Sequence, residues 1–269
     1  MIDGRQRFNA GRFASRGRYG SVYTGDALVD PATDYIGYWP LEDGSGLTAT
    51  DESGNGNNGT LTNGPTWGEG FIGTWAVDFD ATDDRINIPD ASIFSFGDAN
   101  SGTDDNPFTF CAWVYYESDG GDRATILGKY DTLSPYTGEY DFAIKANKVE
   151  ARLFHYNGTG VFWGRSSTAT ISSSTWTHVA VTYNGNRTSL GITLWINGSS
   201  VASSHIGNND ENHVFNGMGD FASDLFIGAS LIGSAAFDGY FGGRIEEVRM
   251  YDREFSADDM SDLYDYYTA

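Results

Sequence analysis

Lysine, cysteine and proline are all scarce in these 269 residues, and each shortage excludes something. The one thiol, Cys111, rules out an internal disulfide, so stability must come from the core. Lysine occurs only at Lys129, Lys145 and Lys148, and sixteen bases face thirty-seven acids, for a net charge of −21. Such a surface repels nucleic acid and anionic membranes. No apolar stretch approaches the roughly 20 residues of a membrane span. Nor does an apolar run follow the arginines of the first twenty residues, as a secretory leader requires. The expectation is a protein with no nucleic-acid partner and no membrane insertion. Long amphipathic helical patterns are missing as well.

Glycine and aromatic residues are abundant: 35 Gly, 17 Phe, 16 Tyr and 7 Trp. That balance predicts many short strands and tight turns. The length suffices for a full core, and sandwiches of this size form one domain. Charge divides the chain unevenly. Residues 1–34 hold five Arg and four Asp, which leaves eleven bases against thirty-three acids in residues 35–269. Arg5, Arg7, Arg12, Arg16 and Arg18 alternate with Gly and aromatics at neither the helical nor the strand period. Residues 1–34 therefore read as a docking arm that orders on a partner, and residues 35–269 as the folded domain. An acid excess with so little lysine fits work in concentrated salt, where screening acts over about 3 Å at molar ionic strength.

Local patterns add detail. Residues 108–115 are apolar on both faces, as in a central strand. Asn197-Gly198 between two strand-like runs signals a tight hairpin. Polar loops are expected at 97–107, 130–139 and 203–224. Ser256 is a natural N-cap, Asp258 and Asp259 follow in the first turn, and Met260, Leu263, Tyr264 and Tyr267 line one face of a short helix.

The series YWPLEDGSG (38–46), DESGNGNNG (51–59), TFCAWVYY (109–116), WTHVAVTY (176–183), LWINGSSVA (194–202) and GGRIEEVRMYDREFSADDMSDLY (242–264) resembles laminin-G-like, concanavalin A-like jelly-roll domains. The resemblance implies an all-β, antiparallel two-sheet β-sandwich closed by a short C-terminal helix. It also implies calcium, shared between the Asp51, Asn55 and Asn57 loop and Glu246 of the final strand. A Gly-rich loop can turn several hard oxygens toward such an ion. Residues 77–86 resemble a hairpin of the same family, whose clustered acids suit either a second cation or, as the chief reading, turn caps at Asp80 and Asp83.

Tyr136, His155, Tyr156 and Trp163 are the candidate sugar-binding residues, since pyranose rings stack on exposed aromatic faces. Catalysis finds little support. No E-x-D-x-x-E triplet occurs, and Glu246 and Glu247, adjacent in a strand, are expected on opposite faces. His178 reads as a packing residue. The expectation is a non-enzymatic, homo-oligomeric adhesion or decoration protein that binds surface glycans or glycoproteins. Its arm would dock it to other subunits on the virion surface of a virus of halophilic archaea, as a spike, turret or tail fibre. A cellular or secreted lectin-like module is the alternative, and a glycoside hydrolase the third reading.

Overall fold

A computed structural model of the chain describes residues 33–97, 105–120, 123–130, 138–154, 161–207, 217–231 and 237–268. The expected docking arm, with Arg5, Arg7, Arg12, Arg16 and Arg18, lies outside the described residues. In chain order the strands are β1 (Gly37–Trp39), β2 (Thr48–Ala49), β3 (Gly59–Thr62), β4 (Thr66–Glu69), β5 (Trp75–Asp80), β6 (Arg85–Ile88), β7 (Phe108–Asp119), β8 (Ala124–Lys129), β9 (Tyr140–Lys145) and β10 (Lys148–Phe154). They continue with β11 (Phe162–Ser167), β12 (Trp176–Tyr183), β13 (Ile192–Ile196), β14 (Ser199–Val201), β15 (Ser203–Gly207), β16 (Leu225–Ile227), β17 (Ser230–Leu231), β18 (Phe237–Asp238) and β19 (Phe241–Tyr251). One helix, α1 (Ala257–Thr268), follows.

Sheet 1 runs β14-β13-β12-β7-β19-β5-β4, with β1 added on β19, and sheet 2 runs β15-β11-β10-β9-β8-β16-β6-β3-β2. The pairings within both sheets are antiparallel. The result is the expected two-sheet sandwich with a C-terminal helix.

The alternation of β7 shows how one strand serves two cores. Phe108, Phe110, Ala112, Val114 and Tyr116 enter the main core between the sheets. Cys111 points the other way, into a second cluster with Ala180, Trp195, Tyr251, Phe255, Met260 and Leu263. Helix α1 thus covers part of the outer face of sheet 1, which is why 108–115 is apolar on both sides. Its start is fixed by a reciprocal cap. The Asp259 amide donates to Ser256 Oγ, and Asp259 Oδ2 accepts from the Ser256 amide and hydroxyl.

The Asn197-Gly198 turn joins β13 to β14 with both residues at positive φ, as a two-residue hairpin requires. Two expectations change. Ser203–Gly207, expected in a loop, is the edge strand β15 paired to β11. Residues 80–85 form no hairpin, because β5 lies in sheet 1 and β6 in sheet 2, so the segment is a corner between sheets. Ala81 holds φ +61 there, a conformation glycine adopts more readily.

Candidate functional site

The loop expected to bind calcium is organised by hydrogen bonds that Asp51 accepts from backbone amides. Asp51 Oδ1 accepts from the Tyr38 and Ser53 amides at 3.2 and 2.9 Å, and Oδ2 accepts from the Asn57 amide at 2.8 Å. The Asn57 carbonyl is taken by the Trp39 indole, and the Asn55 side-chain amide donates to the Ile36 carbonyl. Three N–H dipoles converging on one carboxylate satisfy an anion, and a cation placed there would face their positive ends. Glu246 contacts a different segment, accepting from the Phe71 and Ile72 amides. The four residues therefore do not fit a shared calcium. Asp80, Asp83 and Asp84 bring their carboxylates within 4.8 Å of one another, and Asp80 Oδ1 accepts from the Thr82 and Asp83 amides, the expected turn-capping role.

Of the expected sugar-binding residues, Tyr136, His155 and Tyr156 lie outside the described residues. Trp163 is 2% exposed in the main core, so its ring is not available for stacking; its side of β11 faces the opposite sheet.

Exposed aromatic surface lies elsewhere, on the outer face of sheet 1 beyond the end of α1. Direct cross-strand partners form a row there: Thr66 beside Asp78, Asp78 beside Arg244, Arg244 beside Tyr115, and Tyr115 beside Trp176. Directly opposed residues share a face, so all five project outward together. The Arg244 guanidinium lies 4.3 Å over the Tyr115 ring and 5.6 Å from that of Trp176, and donates to the Glu69 carbonyl at 2.7 Å. Burial raises the Asp78 carboxyl above its ordinary range, against the pull of Arg244.

Phe71 completes the surface. It is 51% exposed, with its ring 4.9 Å from Trp113 and stacked 6.2 Å from Trp176. The Phe71 loop, residues 70–74 between β4 and β5, is pinned by two carboxylates. Glu246 takes the Phe71 and Ile72 amides at 3.0 and 2.9 Å, and Glu42 takes the Thr74 and Trp75 amides at 3.0 and 2.9 Å. A Cβ at Gly73 would meet the Glu42 carboxylate, so a side chain there would push aside the acid that holds the Thr74 and Trp75 amides.

The adjacent row on the same face is Glu246, Trp113 and His178, again direct cross-strand partners. All three are buried, yet Glu246 Oε2, Trp113 Nε1 and both His178 ring nitrogens have no hydrogen-bond partner among the described residues. Each such group costs about 1–3 kcal/mol. Burial raises the Glu246 carboxyl to about 7 and lowers His178 to about 3, so the imidazole is neutral at ordinary pH. His178 sits 5.5 Å from Trp113 and about 6 Å from Tyr264 and Tyr267 of α1, in agreement with a packed position.

Glu247 corrects an expectation about Glu246's neighbour. Between the Glu246–Trp113 and Arg249–Cys111 pairs, two residues of β19 oppose one of β7, and Glu247 takes φ +56. This bulge turns Glu247 to the outer face beside Glu246 rather than to the opposite one. Its carboxylate there is fully engaged by Arg249 at 3.0 Å and by the Tyr38 and Tyr267 hydroxyls.

Residues 80–261, more than half of the chain, match the model of the concanavalin A-like lectin/glucanases superfamily. The chain belongs to that superfamily. A comparison with curated protein sequences finds no match. Among solved structures, the superfamily member is similar to the binding domain of Paraclostridial Mosquitocidal Protein 1, at 17% identity and TM-score 0.64 over 87% of this chain and 52% of that one. The botulinum neurotoxin serotype G binding domain gives 16% identity and TM-score 0.59, over 86% of this chain and 51% of that one. Domain 4 of AbnA, an extracellular GH43 arabinanase of Geobacillus stearothermophilus solved with arabinotriose, gives 19% and 0.54, over 86% of this chain and 98% of that one. The chain spans about half the length of the toxin binding domains it matches, and at these identities the likeness shows the fold.

Proposed function

We propose that this superfamily member is a non-catalytic binding module for carbohydrate, with Phe71, Tyr115 and Trp176 as its stacking surface and Arg244 and Asp78 as its polar rim. The observation that carries the reading is the exposed Phe71 ring laid against Trp113 and Trp176 beside an arginine held flat on Tyr115. Aromatic faces edged by directional polar groups suit sugar rings, which are apolar on one side and hydroxylated at the edge. Glu247 is held by Arg249 and by the Tyr38 and Tyr267 hydroxyls, and Glu246 Oε1 by backbone amides, so these two acids of the face serve the fold. A receptor binding domain of botulinum neurotoxin and the arabinanase domain solved with arabinotriose share the fold and are consistent with that chemistry.

The setting we assign is the surface of a particle in concentrated salt, a virion of a virus of halophilic archaea, with residues 1–34 docking the domain to neighbouring subunits. The support is the segregation of charge, five arginines among residues 1–34 against thirty-three acids among residues 35–269. A glycan array read in molar salt tests the module: Phe71→Ala and Trp176→Ala are expected to lose the bound glycans while the fold is retained. Binding unchanged in both variants overturns the assignment of the face. Removal of residues 1–30 tests the setting, with a folded, sugar-binding domain that no longer joins its assembly as the expected result.

A further inference from the structure

We infer that the row Glu246, Trp113 and His178 is a hydroxyl-recognition subsite, a slot opened by displacement of the Phe71 ring that takes the edge of a neutral sugar ring. The inference rests on the carbohydrate-binding reading above and assigns the groups that would select among sugars. Three neighbouring strands place these side chains side by side on one face. Each is buried with polar atoms left over: one carboxylate oxygen, one indole N–H and two imidazole nitrogens. Two residues along β7, Cys111 stands between Ala180 and Arg249 on the same face, under Met260 and Leu263 of α1.

The chemistry of the row selects its ligand class. Glu246 Oε2 accepts, Trp113 Nε1 donates, and neutral His178 offers one donor and one acceptor. A polyol answers this mixed set, because each hydroxyl both gives and accepts. An apolar ligand would leave the row as unsatisfied as before, and an anion would meet Glu246, Glu247 and Glu42. The row is 0–2% exposed, so a ligand reaches it by displacing the Phe71 ring. The half-exposed ring roofs Trp113, and its loop is fastened to the sheet by the same Glu246 that would receive the hydroxyl. Tyr264 and Tyr267 of α1 wall the slot opposite.

The experiment uses the full chain, titrated with glucose, galactose, mannose, xylose and arabinotriose while the indole N–H resonances are followed by NMR. The Trp113 signal is assigned from Trp113→Phe. The expected result is that a bound sugar shifts the Trp113 indole N–H. Trp113→Phe and His178→Gln should each weaken binding by about tenfold or more, with no further loss for a deoxy sugar lacking the recognised hydroxyl. If Trp113→Phe fails to fold, the signal is assigned by triple-resonance NMR on the wild-type chain, and its shift decides alone. A sugar that binds and is weakened by Phe71→Ala, yet leaves the Trp113 resonance unmoved, overturns the slot and spares the module. No binding of any sugar overturns both.

Discussion

Two loops of this protein solve the same problem with carboxylates and reach different ends. In residues 51–59 the acid lies inside its own loop, and Asp51 gathers the amides of Tyr38, Ser53 and Asn57 into a closed turn. In residues 70–74 the acids come from outside, Glu42 from the segment after β1 and Glu246 from the last strand, and hold a loop whose aromatic tip stays exposed. The first arrangement spends its charge on shape alone. The second uses shape to present a ring and leaves one Glu246 oxygen buried and unused. A carboxylate in a Gly-rich stretch is thus no sufficient sign of a metal, and the partners it meets decide its role.

The largest effect should come from breaking the first loop. Asp51→Ala strands three amides around a 7% exposed site and should cost about 3 kcal/mol or more, seen as a melting temperature lower by roughly 6–12 °C. EDTA should leave the wild-type melting curve in place. A chelator-sensitive transition that Asp51→Ala abolishes would restore calcium to this loop.

The next effect is on pH, and it probes the second loop through Glu246. Glu246 and Glu139 are pushed up to about 7 and Asp105 to about 6, each chiefly by burial. As pH rises, the unfolded chain ionises these groups first, so the folded state binds more protons between about pH 4.5 and 7. The contribution of these groups is therefore complete below about pH 4.5, and stability should fall as pH rises from about 5 to about 8. Glu246→Gln should flatten part of that slope, whereas a profile that rises toward pH 8 would contradict the assigned burial.

Salt should matter less at high ionic strength than at low. Dilution from molar salt lengthens screening from about 3 Å to about 10 Å at 0.1 M and exposes the acid excess to itself. Melting followed across that range should drop on dilution, and a curve independent of salt would count against a saline habitat. The smallest effect on stability belongs to the second loop's tip. Phe71→Ala removes a half-exposed ring and should cost about 1 kcal/mol or less in denaturant titration while sugar binding falls about tenfold.

Much of the scaffold was legible in the sequence. The Asn-Gly hairpin at 197–198, the Ser256 cap and the doubly apolar 108–115 strand each carry their cause in a few adjacent residues. What escaped depends on partners far apart in the chain. Glu246 reads as a ligand-type acid, but its amides lie more than 170 residues away. The bulge at Glu247 has no glycine to announce it, and its φ of +56 is held by Tyr38, Arg249 and Tyr267. Trp163 looked like sugar-binding surface because period-two alternation leaves open which face meets the opposite sheet. One signal for Phe71 was available: an aromatic residue between Gly70 and Gly73 in a short hairpin has little core to enter.

Cys111, set behind α1, gives the protein a built-in clock. Its thiol is buried against Met260 and Leu263, with its pKa raised to about 12 by that burial, so a thiol reagent meets it only when the helix lifts from the sheet. Labelling rates in native buffer would then time the excursions of α1 alone, separate from global unfolding. A bound sugar walled by Tyr264 and Tyr267 should slow that clock without touching the cysteine.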